Sequence, residues 1–273
     1  MWTNRNLALT TPTASPDARH WLARPDLAEL ALEGRVPARA YAPTRALFGI
    51  VPVAEVFDGH GPAAARISQL LFGEIFDVLE EGGDRLWGRC RRDGVVGWID
   101  AAAAAEGAHV PTHRVASIGG VLPLNALVDP ARDAVGDVTL MPIGQFEPDL
   151  AVTAQRMLGT PHAPGGRSDR DTDCAGLVQA CLIACGRAAP RLADEQAELG
   201  RAVEADQVAS DDLAIWTHPV GGPGWTGHAA ILLDGETVIH ASGAAGRVVI
   251  EGLGAVDARM RDDGFDAPRF RRL

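Results

Sequence analysis

The sequence predicts an α+β chain in which small β-barrel segments precede a unit of helices and strands. Three observations carry this. Between residues 35 and 105, short apolar stretches are punctuated by Gly and Asp. From Glu147 onward the apolar spacing becomes helical. After Asp212 it returns to strands, two of them joined at Asp234-Gly235. Helices followed by a strand meander make an α+β unit.

Residues 1–34 read as an N-terminal arm. Ser15-Pro16-Asp17 opens a short helix, continued by the apolar spacing of Trp21, Leu22, Leu27 and Leu30. Residues 35–105 read as a small barrel. Ala38–Ala42, Leu70–Glu80, Arg85–Arg91 and Gly94–Asp100 are strand-like, with hairpin turns at Glu81-Gly-Gly-Asp and Arg92-Asp-Gly. Residues 106–147 form a second, reduced barrel segment, with strand fragments at Val115–Ile118, Gly120–Leu124 and Asp137–Ile143. Residues 148–273 form the last unit. Helices are expected over Asp149–Leu158, Asp173–Gly186 and Asp194–Arg201, and strands over Leu213–Trp216, His228–Leu233 and Thr237–Ala241.

The chain has 273 residues, 47% of them apolar and 22% charged, an ordinary globular balance. Its net charge of −11 argues against nucleic acid or an anionic membrane as partner, since both reward clustered Lys and Arg. The N-terminus carries no apolar run of signal-peptide length, so the chain is expected to be cytoplasmic. The four cysteines, Cys90, Cys174, Cys181 and Cys185, fit neither a zinc pattern nor a disulfide framework and read as free thiols. His109 and His113 have metal-pair spacing, but Pro111 between them argues against the helix such a pair needs. No metal and no cofactor is expected.

Cys174 sits at the start of a helix, just after the N-cap residue Asp173. Unpaired amides and the positive helix end favour a thiolate there, and the same amides can hold an oxyanion. Cys181 and Cys185 lie deeper in that helix and read as core. A thiol nucleophile needs a base, and the base needs an orienter. Of the eight histidines, His228 and His240 head and end consecutive strands, which brings them together in an antiparallel pair. His20, His60, His162 and His218 show no partner pattern.

Asp173-Cys-Ala-Gly-Leu-Val-Gln, Asp212-Leu-Ala-Ile-Trp, Gly227-His-Ala-Ala-Ile-Leu-Leu and Val238-Ile-His-Ala-Ser resemble, in their order, the motifs of the NlpC/p60 cysteine peptidases. The resemblance covers about residues 148–273 and implies a papain-like fold. Leu70-Leu-Phe-Gly-Glu and Asp93-Gly-Val-Val-Gly-Trp-Ile more weakly resemble the bacterial SH3-like domains that precede the peptidase in one cytoplasmic branch. That branch hydrolyses γ-D-glutamyl-diamino acid bonds in peptidoglycan stem peptides with a free N-terminal L-Ala, as in cell-wall peptide recycling. The resemblance therefore implies Cys174 as nucleophile, His228 as base and His240 as the residue orienting it, with a stem peptide or related small peptide as partner.

Several positions depart from that pattern. Ala175 stands where the family has Ser, and His162-Ala-Pro-Gly-Gly replaces a Tyr-x-Trp-Gly-Gly run. Leu192 and Ala193 replace an Asp-Ser pair associated with the substrate's amine, and Val95 replaces a Tyr in the barrel turn. Polar anchors have become apolar, so an ammonium there would lose several kcal/mol of pairing. Asp173 and Asp194 remain as substitute partners. The expectation is retained chemistry with shifted specificity. The alternatives are a catalytically silent binding protein on the peptidase fold, or an amidase or acyltransferase using the same thioester.

Overall fold

The computed structural model of the protein describes residues 18–218 and 227–273. Two short strands, β1 (Leu27–Glu29) and β2 (Ala40–Ala42), pair in parallel ahead of the first large sheet. The helix expected from Ala18 is replaced by single 3-10 turns at Ala18–His20 and Leu30–Leu32. Pro25 lies between them. It offers no N–H, and its ring clashes with the preceding helical turn, so no helix runs through it. Ser15, Pro16 and Asp17 lie outside the described residues. Arg89 anchors the arm by clamping Glu29 at 2.6 and 2.9 Å, while Leu22 and Ala28 are fully buried.

Seven strands follow: β3 (Arg45–Gly49), β4 (Val53–Phe57), β5 (Arg66–Leu71), β6 (Ile75–Gly82), β7 (Arg85–Cys90), β8 (Val96–Asp100) and β9 (Ala104–Ala105). They form an antiparallel sheet in the order β5-β4-β8-β7-β6-β3-β9. Alternate residues turn inward, so Leu47, Val56, Leu70, Phe76, Leu86 and Ile99 share one core with Cys90. The run Leu70–Glu80, expected as one strand, is two. It breaks at Gly73, whose φ of +76° suits glycine, and a Cβ there would stand 2.0 Å from the Leu127 carbonyl oxygen.

Strands β10 (His113–Val115), β11 (Leu127–Val128) and β12 (Leu140–Pro142) make a three-stranded sheet in the order β11-β10-β12. It covers a small core of Val115, Leu122, Ala126 and Val128. Gly120–Leu124 is bend and turn rather than strand, because Pro123 cannot donate to a ladder. His109 stacks on Phe48 and bonds Asp133 at 3.1 Å. Among the described residues, no group of three or more His, Cys, Asp or Glu is arranged to hold a metal.

The C-terminal unit begins with helices α1 (Leu150–Arg156), α2 (Cys174–Ala184) and the single turn α3 (Ala193–Gln196). It continues with β13 (Arg201–Val203), β14 (Leu213–Trp216), β15 (His228–Leu232), β16 (Thr237–Ser242), β17 (Arg247–Gly252), α4 (Leu253–Asp262) and β18 (Arg269–Arg272). The six strands are antiparallel in the order β13-β18-β14-β15-β16-β17. Period-two alternation gives the sheet two apolar faces. Leu213, Ile215, Ala229, Ile231 and Ile239 pack with α1, α2 and α3. Ala214, Trp216, Ala230, Leu232 and Val238 pack with Val256 and Met260 of α4. Every residue of α2 is buried, as expected of a helix that is apolar all round. Cys181 is therefore core, and Cys185 is half-buried at the helix end.

The barrel and the C-terminal unit are joined through polar groups out of water. Arg167, 1% exposed, pairs with the equally buried Glu74 and donates from Nε to the Gln69 carbonyl at 2.6 Å. The Gln179 amide donates to Asp93 at 3.0 Å, and Arg66 bonds Asp171. These contacts set the turn after β7, with Val95 in it, against the start of α2.

Candidate active site

Asp173 begins the helix that presents Cys174. Its Oδ1 accepts from the Gly176 amide at 2.7 Å, the N-cap bond. Arg191 grips the same carboxylate at 2.5 and 3.0 Å, and the Gly165 amide donates to Oδ2 at 2.9 Å. Asp173 lines the cleft, but both its oxygens are engaged in holding the helix start. The Gly176 amide is used by this cap and the Leu177 amide by the Asp173 carbonyl at 2.9 Å. Of the first-turn amides, those of Cys174 and Ala175 remain to face a ligand.

Cys174 is buried, with Sγ 3.8 Å from the Gly227 carbonyl oxygen. Gly227 has φ +151°, and a Cβ on it would meet the Trp216 carbonyl oxygen at 2.3 Å. Only glycine lets the entry to β15 lie so close to β14. Burial pushes the Cys174 thiol up to about 12, and the neighbouring Asp173 charge adds to this. The amides of Ala229 and Ala175 pull the other way and do not prevail. The expectation of a thiolate favoured by the helix start is thus reversed, because desolvation outweighs the helix end.

His228 and His240 come together as the strand pairing requires. Val238 and His240 of β16 share a face with Ala230 and Leu232 of β15, and His228 lies on that same face by alternation. His228 Nε2 lies 2.7 Å from His240 Nδ1, and the rings meet edge to face. His240 Nε2 in turn lies 2.7 Å from Glu251 Oε2. Glu251 is the residue the sequence reading missed. It sits opposite Val238 on β17, diagonal to His240, and Arg259 from α4 holds it at 2.7 and 3.3 Å.

The chain of bonds fixes the protons. A carboxylate only accepts, so His240 carries its hydrogen on Nε2. The neutral ring then has its lone pair on Nδ1 and accepts from His228 Nε2–H. That leaves the lone pair of His228 on Nδ1, the one ring nitrogen free for a thiol proton. Burial, then the nearby His240, lowers His228 to about 3. Burial also lowers His240 against the pull of Glu251. Glu251 itself is held below the usual carboxylate range, chiefly by its bond to Arg259. The resting site is a neutral thiol, two neutral imidazoles and an ionised carboxylate.

Cys174, His228 and His240 line one cavity of about 680 Å³. Val95, Ala175, Leu192 and Ala193 line it too, and so does Asp173, whereas Asp194 does not. Two histidines read as patternless, His20 and His162, also line it. Their approach depends on the arm, whose helical spacing gives only 3-10 turns, and on the loop before α2.

Residues 159–257 match the NlpC/P60 family. Over those residues the C-terminal unit is similar to that family. Residues 56–103 match the bacterial dipeptidyl-peptidase SH3 domain, so an SH3-like unit precedes the NlpC/P60 unit. The γ-D-glutamyl-L-lysine dipeptidyl-peptidase of Bacillus subtilis is 30% identical over 92 residues, 34% of this chain and 31% of that protein. The peptidoglycan endopeptidase RipB of Mycobacterium tuberculosis is 32% identical over 78 residues, 29% of this chain and 30% of that protein. The matches thus span under a third of the length of these relatives. A solved NlpC/P60 family protein from Bacillus cereus aligns over 84% of this chain and 99% of its own, with a TM-score of 0.67 and 18% identity, a likeness of fold.

Proposed function

We propose that this chain is a cysteine peptidase that cleaves an amide bond in peptidoglycan-derived peptides, at a γ-D-glutamyl-diamino acid linkage, through a thioester on Cys174. The observation that carries the reading is the relay Glu251–His240–His228, whose bonds leave one imidazole lone pair for the thiol in the same cavity.

In this reading the sulfur attacks the scissile carbonyl carbon as its proton passes to His228 Nδ1. The thiol starts neutral, so proton transfer and attack proceed together rather than from a preformed ion pair. The oxyanion is met by the amides of Cys174 and Ala175. His240 and Glu251 stabilise the imidazolium that forms. His228 then gives its proton to the departing amine, and the C–N bond breaks. Water, deprotonated by His228, attacks the thioester. The acid is released and Cys174 regains its hydrogen. The γ-D-glutamyl specificity is supported by the segmental likeness to the Bacillus subtilis enzyme.

The test is incubation with L-Ala-γ-D-Glu-diamino acid peptides and mass analysis of the products. Cleavage after the glutamyl residue that disappears in Cys174→Ala supports the reading. Tight binding with no product indicates a binding protein that keeps the fold.

A further inference from the structure

The side of the cleft formed by Leu192 and Ala193, where the resemblance places the substrate's amine, has an apolar wall and a cationic rim. Ile67, Val95 and Val96 of the barrel line the cavity together with Leu192 and Ala193. The arm closes this side with Arg19 and His20. Each has taken a carboxylate that would otherwise offer an ammonium a partner. Arg19 Nη2 lies 2.8 Å from Asp194 Oδ2, and His20 Nε2 bonds Glu195 Oε1. Arg19 and His20 line the cavity, while Asp194 and Glu195 do not. Asp173 is already gripped by Arg191.

The rim is built rather than loose. A Cβ on Gly94 would stand 2.9 Å from His20 Nδ1, so the ring packs directly on the barrel turn that carries Val95. The Glu195 carboxylate also accepts from the Leu192 amide at 3.3 Å. Among the described residues, the charged groups lining the cavity are four arginines (Arg19, Arg66, Arg191, Arg259) against Asp173 and Asp263. Asp263 follows α4, with Met260, rather than the arm. An ammonium brought to the wall of Val95, Leu192 and Ala193 would leave water without a carboxylate to meet it.

We propose that this cleft takes acyl donors whose amino terminus is blocked, as an N-acyl amide, in preference to peptides with a free terminal ammonium. A neutral acyl group lets the apolar wall be covered without burying an unpaired charge. The cleavage arm of the test rests on the peptidase reading above; the binding arm does not.

The experiment compares one γ-D-glutamyl-diamino acid peptide with its N-acetyl form, using the full chain. The kcat/KM is measured on the wild type and Kd on Cys174→Ala. The acetylated peptide is expected to be favoured about tenfold or more in both, the factor that about 1.4 kcal/mol of unpaired charge would produce. Arg19→Ala, which unmasks Asp194, is expected to shrink that preference about threefold or more. Tighter binding of the acetylated peptide with no cleavage of either upholds this inference and removes the peptidase reading. Equal or better use of the free amine, failure of the acetylated peptide to bind, or an Arg19→Ala preference unchanged from wild type overturns the inference.

Discussion

His240 sits between His228 and Glu251 with 2.7 Å to each, so its tautomer is set by the carboxylate and in turn sets that of His228. A substitution at Glu251 therefore acts on the proton of a ring it does not touch. Glu251→Gln can either donate or accept, which lets His240 turn its hydrogen to the wrong nitrogen. We expect kcat to fall by about 10²-fold with KM little changed, in the range of a general base lost or misplaced. Steady-state kinetics check this. A KM effect alone would mean that Glu251 serves substrate binding or packing.

The Cys174 thiol, pushed up to about 12 by burial, is expected to alkylate slowly at neutral pH. The rate with iodoacetamide should rise about tenfold per pH unit between pH 7 and 10, tracking the thiolate fraction. A plateau reached below pH 7 would show a preformed thiolate–imidazolium pair instead.

His228 is held near 3, below its unfolded value of 6.5, so the folded state resists a proton that the unfolded chain takes up. Its contribution to stability is complete above about pH 6.5 and is lost as pH falls towards 3. Lowered His240 has the same sign, and lowered Glu251 adds loss below its ordinary 4.5. Urea unfolding from pH 6.5 to 4.5 should show stability falling with pH. His228→Asn should reduce that slope by about 1.4 kcal/mol per unit. An unchanged slope would mean that His228 is protonated in the folded protein.

Arg167 and Glu74 are both 1% exposed where the barrel meets the C-terminal unit. Arg167→Ala removes the buried partner of Glu74 and leaves it Arg92 and the Leu71 amide, so it should cost about 3 kcal/mol. Arg167→Met with Glu74→Met should recover most of this, because both members of the buried pair are then gone and Arg92 is partly exposed to water. Denaturant midpoints of the single and double variants decide it. Additive losses would contradict the pairing.

How far the sequence foretold the site follows from which signals are local. The N-cap Asp173 and the buried helix after it are written in adjacent residues, and both form. The histidine pair was legible because one short turn joins its strands, and Asp234 closes that turn by accepting from the Glu236 and Thr237 amides at 2.7 Å each. Glu251 was not legible. Its place beside His240 depends on the hairpin closing at Ser242↔Arg247, and a shift of one residue would turn it to the other face. Arg19 and His20 reach the cleft only through packing of an arm whose helical spacing is broken by Pro25. The acidity of Cys174 was misjudged because helix position can be read from sequence and depth of burial cannot.

The central claim is that Cys174 forms a covalent acyl intermediate with its substrate. Acid quenching of the 273-residue chain during turnover of a cleavable peptide, followed by intact-mass and peptide mapping, tests it most directly. The account predicts a mass increase equal to the acyl portion, located on Cys174, removed by hydroxylamine and absent from Cys174→Ala. Turnover that persists in Cys174→Ala, or an adduct on any other residue, would contradict it.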